Sequence, residues 1–66
     1  MRIVVNGDPL ETADGCSLAA LLHQLGIGQN RVAVELNTAI VPKAGYDTQT
    51  LSDNDKIEIV HFVGGG

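Results

Sequence analysis

Ser17-Leu18-Ala19-Ala20-Leu21-Leu22-His23-Gln24-Leu25-Gly26 is the stretch on which the fold turns. Ser17 is a good helix N-cap, and Leu18, Leu21, Leu22 and Leu25 fall at i, i+3, i+4 and i+7, which lays one apolar stripe along a helix from Leu18 to Leu25. Gly26 follows the last leucine, where a left-handed residue closes a helix, and Gly28 and Asn30 prolong the break. Cys16, one residue ahead of the cap, is placed to pack against Leu21 as a hydrophobic staple.

Outward from the helix the apolar period changes to that of strands. Upstream, Ile3-Val4-Val5 runs into the turn formers Asn6-Gly7-Asp8-Pro9, and Leu10-Glu11-Thr12 returns as the second arm of a hairpin. Pro9 lacks an N–H, which places that arm at a sheet edge. Downstream, Val32, Val34 and Leu36 alternate with Ala33 and Glu35, Asn37-Thr38 turns the chain, and Ala39-Ile40-Val41 returns until Pro42. Lys43 to Thr50, polar apart from Ala44 and Tyr46, reads as an irregular loop with one helical turn, and Ser52-Asp53-Asn54-Asp55 as a tight turn. Lys56 to Val63 is the longest strand, with Ile57 and Ile59 on one face and Glu58, Val60 and Phe62 on the other.

The order is ββαββ, loop, β. One amphipathic helix covers one face of one sheet, so two hairpins flanking a central pairing of the first and last strands are expected. This is the α+β layout of a β-grasp, a mixed sheet with one main helix on one face. Residues 1–63 make up the domain, and Gly64-Gly65-Gly66 form a tail.

A chain of 66 residues is short for more than one small domain, and with 44% hydrophobic residues and only Tyr46 and Phe62 as aromatics its core is aliphatic. Four basic against eight acidic residues give a net charge of -4, which opposes nucleic acid and anionic membranes and favours a basic protein surface as partner. The single Cys16 forms no internal disulfide. The apolar run before the first turn is too short for a signal peptide or a membrane span, so the cytoplasm is the expected compartment.

Catalytic constellations are missing from the sequence. His23 and His61 have no Cys or acidic partner at metal-ligand spacing, and Asp53 and Asp55 lack the other ligands of a calcium loop. No catalytic residue, bound metal or resident cofactor is expected. His61, alternating with Ile57 and Ile59, sits at the sheet rim, where a partner could touch it.

The glycine tail has no explanation in folding, because glycines bring no side chain to a core and lose the most backbone entropy on ordering. Without Cβ atoms the tail is slender enough to thread a narrow channel, carrying the Gly66 carboxyl group at its tip. A carboxylate ionised at neutral pH is a poor acyl electrophile. Adenylation by ATP would give it a good leaving group, after which a sulfur nucleophile could attack the carbonyl carbon. The chain would then be the substrate of enzymes rather than an enzyme.

Arg31-Val32-Ala33-Val34-Glu35-Leu36-Asn37, Ile40-Val41-Pro42 and Leu51-Ser52-Asp53-Asn54-Asp55-Lys56-Ile57-Glu58-Ile59-Val60-His61-Phe62-Val63-Gly64-Gly65-Gly66 resemble the ThiS family of sulfur carriers of thiamin biosynthesis, within the ubiquitin-like β-grasp proteins. The resemblance implies that Gly66 is adenylated by a ThiF-type enzyme and converted to a thiocarboxylate, with sulfur drawn from cysteine through a desulfurase. It further implies that thiazole synthase takes that sulfur into the thiazole ring, with Gly64 and Gly65 presenting the terminus. ATP is consumed by the activating enzyme. Two positions depart from the pattern: Asn54 stands where an Asp-Gly-Asp turn would have glycine, and Thr38 where an Asn-Gly hairpin would. The small subunit of molybdopterin synthase and a ubiquitin-like modifier joined to lysines are the alternatives. On the sheet face away from the helix, Val4, Val60 and Phe62 are the candidate partner-binding residues.

Overall fold

In the computed structural model, which describes residues 1–62, strands β1 (Arg2–Val5) and β2 (Asp8–Glu11) form the first hairpin. Asn6 and Gly7, at φ 49° and 85°, are both left-handed, the geometry of a two-residue type I′ turn whose twist suits the flanking strands. The return strand therefore starts at Asp8 and includes Pro9, earlier than its turn-forming residues suggest. Pro9 faces Val4 across an edge strand, where a missing N–H breaks no ladder bond.

Helix α1 (Leu18–Gln24) has the expected caps. The Ser17 hydroxyl accepts from the Ala20 N–H at 3.0 Å. At the other end Gly26, at φ 72°, donates to the His23 carbonyl and Ile27 to that of Leu22, a complete Schellman motif. The helix stops one residue short of the apolar stripe. Leu18, Leu21 and Leu22 are fully buried, while the capping Leu25 is partly exposed.

Strands β3 (Val32–Leu36) and β4 (Ala39–Val41) form the second hairpin, with Asn37 and Thr38 at φ 50° and 75°. A 3₁₀ turn at Gln29–Arg31, unforeseen in the sequence, leads into β3, and another occupies Lys43–Gly45 in the expected irregular loop. That loop does more than cover the core. Its Gln49 and Tyr46 carbonyls accept the Leu18 and Ala19 N–H groups, so the first turn of α1 is satisfied from outside the helix. Tyr46 itself is buried, its hydroxyl donating to the Val32 carbonyl at 3.5 Å.

β5 (Lys56–His61) completes a five-stranded sheet ordered β2-β1-β5-β3-β4, parallel between β1 and β5 and antiparallel elsewhere. The strand ends at His61, so Phe62, expected within it, lies just past its end; Val63 and the tail Gly64, Gly65 and Gly66 lie outside the described residues. Ile3, Val32, Val34, Val41, Ile57 and Ile59 pack with the three helix leucines, Tyr46 and Leu51 in one core. Cys16 packs against that core from its edge, its thiol donating to the Ser17 carbonyl.

Two asparagines fasten the hairpins to β5. Asn6, just past β1, accepts the Ile59 N–H at 2.7 Å and donates its amide to the Ile59 carbonyl at 3.2 Å, extending the pairing by a side chain. Asn37 accepts the Lys56 N–H at 2.9 Å, and its own N–H donates to the Lys56 carbonyl at 2.8 Å. The amide of Asn37 also donates to Asp55. Among the described residues no helix is long and apolar enough to cross a membrane.

Candidate functional site

Alternation along β5 sends Ile57 and Ile59 under the helix and Glu58 and Val60 to the open face of the sheet. Register then decides what lies beside them. Val60 stands opposite Ala33 of β3, Glu58 opposite Glu35, and Glu35 in turn opposite Ile40 of β4. Ile40, Val60 and Phe62 are 77%, 59% and 58% exposed, large apolar side chains spread over β4 and the end of β5.

Val4 is on the same face but not in the same group. In the parallel pairing it is level with Lys56, and Val60 lies four residues further along β5, about 13 Å at ~3.3 Å per residue. Val4 is also only half exposed, next to Pro9. Val60 and Phe62 are therefore brought together, whereas Ala33 and Ile40, which alternation alone did not single out, are nearer to them than Val4.

Glu35 and Glu58 stand directly opposite each other on this face. Directly opposed like charges on neighbouring strands oppose sheet formation. Both carboxylates are exposed, so a cationic group arriving from solvent can sit between them. At the end of the sheet where the described chain stops, Asn30, Arg31, His61 and Phe62 line an open cleft. Phe62 is held there by its N–H donating to the Arg31 carbonyl at 2.9 Å. His61 is exposed at this rim, as its alternation indicated.

The other residues considered for chemistry are used by the fold. Asp53 accepts the Arg2 N–H, and Asp55 accepts from Ser52 N–H and the Asn37 amide, so both carboxylates hold the turn before β5. Among the described residues no three His, Cys, Asp or Glu side chains converge as a metal site. His23 is exposed on the helix.

The family model described as "ThiS family" matches residues 3–66. A thiazole synthase of Paramagnetospirillum magneticum is 44% identical over all 66 residues, and the chain spans 20% of that protein's length. The sulfur carrier protein ThiS of Bacillus subtilis is 43% identical over 53 residues, 80% of each chain. The crystal structure of the thiamine biosynthesis protein ThiS from Geobacter metallireducens superposes with a TM-score of 0.86 at 35% identity, covering the whole of both chains.

Proposed function

Since the chain belongs to the ThiS family, we propose that it is a sulfur carrier for thiamin biosynthesis, acted on by enzymes rather than acting as one. The observation that carries this reading is the reach of the family match to residue 66, which takes in the glycine triplet after β5. The domain up to Val63 serves as a handle, and Gly64 and Gly65 let the Gly66 carboxyl group enter active sites too narrow for a branched residue.

The chemistry proceeds in two steps. A Gly66 carboxylate oxygen attacks the α-phosphorus of ATP on a ThiF-type adenylating enzyme, forming an acyl adenylate and releasing pyrophosphate. A persulfide, charged from cysteine by a desulfurase, then attacks the acyl carbon through its terminal sulfur and displaces AMP, giving an acyl disulfide; a second thiol cleaves that S–S bond, forming a disulfide with the carrier's sulfur and leaving a C-terminal thiocarboxylate. Thiazole synthase draws sulfur from that group. The adenylating enzyme and thiazole synthase dock on the open face at Val60 and Phe62, with Val4 at its far margin, and basic groups on their surfaces answer Glu35 and Glu58.

The test uses wild type, Gly65→Val and a chain extended beyond Gly66, each incubated with ATP, the adenylating enzyme and a sulfur source. Intact mass should show oxygen-for-sulfur exchange in wild type alone. Sulfur acquired at the wild-type rate by either variant overturns the reading. Adding thiazole synthase separates it from molybdopterin chemistry, because sulfur must leave the chain into a thiazole product.

A further inference from the structure

The first hairpin turns on Asn6-Gly7, the dipeptide in which a backbone nitrogen meets least steric obstruction in attacking the preceding side-chain amide, since Gly7 has no Cβ. Asparagine is a chemically labile residue for this reason. In this structure the Asn6 amide is held elsewhere: its oxygen accepts the Ile59 N–H at 2.7 Å and its nitrogen donates to the Ile59 carbonyl at 3.2 Å. The backbone N–H of Asn6 also donates to the Ile57 carbonyl at 2.9 Å. Three hydrogen bonds thus fix Asn6 against β5, and the two made by its side chain oppose the rotation that an attack on its carbonyl carbon requires.

We propose that Asn6 is a deamidation site gated by the fold, closed while the first hairpin is pinned to β5 and open when the hairpin detaches. In the open state the Gly7 nitrogen, having lost its proton to solvent base, attacks the Asn6 side-chain carbonyl carbon. A C–N bond forms to close a succinimide, and the amide nitrogen leaves as ammonia. Water then adds to either imide carbonyl and cleaves its C–N bond, giving aspartate or isoaspartate.

Neither product restores the whole pin: aspartate can still accept the Ile59 N–H, but the bond to the Ile59 carbonyl is lost. A carboxylate at position 6 has no N–H to donate and sets a negative oxygen against the Ile59 carbonyl, while isoaspartate also lengthens the backbone inside a turn that needs two consecutive left-handed residues. Deamidation therefore weakens the pin irreversibly and raises the fraction of molecules with the hairpin open. The hairpin it loosens supports β5 at Ile59, immediately before the exposed Val60.

The experiment incubates the full 66-residue chain at mildly alkaline pH, native and in denaturant, and follows the peptide containing Asn6 by mass and by isoaspartate content. Asn6 should convert at least about tenfold more slowly in the native sample, because conversion is limited by the fraction of molecules with the hairpin open. Equal rates in the two samples overturn the proposal. Hydrogen exchange of the native Asn6→Asp variant gives the second reading. Faster exchange at the Asn6-position and Ile59 amides than in wild type supports loss of the pin, and unchanged exchange at both refutes it. Should that variant fail to fold, the same comparison is made on wild type after partial deamidation.

Discussion

Thr38 carries a φ of 75° with a β-branched side chain, a conformation that glycine enters freely and threonine does not. Thr38→Gly should therefore stabilise the chain, by about 1 kcal/mol, read as a rise in the denaturation midpoint at constant m-value. Asn54, also left-handed at φ 70°, is a milder case because asparagine tolerates that region, so Asn54→Gly should gain less. A second residue-scale feature is the Thr12 hydroxyl, buried without a hydrogen-bond partner among the described residues. Thr12→Val keeps the shape and removes the unsatisfied oxygen, so stability should hold or rise by up to about 1 kcal/mol; a clear loss in a thermal melt would contradict this. The Met1 amino group donates to the Thr12 carbonyl at 2.7 Å and lies 3.0 Å from Asp14. Its hydrogen bond to Asp14, supported by nearby acidic charge, raises its pKa above the ordinary 8.0. A raised folded value means that this contribution is complete below pH 8.0 and fades as the pH climbs through the folded value. Asp14→Asn should flatten that alkaline decline in melts recorded from neutral to alkaline pH.

At the scale of elements, the hairpins and the helix were legible because each is specified locally, by Asn-led turns, by alternation and by a Ser17 cap with Gly26 closing the end. Tyr46 was not, because a single aromatic in a polar loop has no period to betray it. Its burial is visible only once the loop lies over the start of α1. The same limit applies to Asn6 and Asn37. Sequence marks both as turn residues, whereas their bonds to Ile59 and Lys56 depend on partners distant in the chain. Alternation likewise put Val4, Val60 and Phe62 on one face, but position along a strand comes from register, and the parallel pairing separates Val4 from the others. Asn37→Ala should cost about 1 to 3 kcal/mol, since it leaves the Lys56 N–H without its acceptor and takes from Asp55 one of its two donors. Hydrogen exchange should locate the loss at the start of β5.

For the whole molecule, stability and association pull against each other at the opposed glutamates. Glu58→Lys replaces repulsion across β3 and β5 with attraction to Glu35 and should stabilise the fold by about 0.2 to 1 kcal/mol. The same substitution should slow association with the adenylating enzyme and weaken its dependence on salt, as stopped-flow traces at low and high ionic strength would show. Association unchanged in rate and salt response would remove the acidic pair from the proposed docking surface. Phe62→Ser, in contrast, should leave the melt nearly unaltered and raise the dissociation rate. The sheet order has a consequence for synthesis. β5 is the last described element to leave the ribosome, yet it fills the middle of the sheet, with β1 from the opposite end of the chain as a neighbour. Until it emerges, the two hairpins have no common strand and Ile3, Val32 and Val34 have only the helix to cover them. Folding is thus withheld until β5 has emerged, and a nascent chain stalled before Lys56 should be digested by protease at once, whereas one extruded past Phe62 should resist.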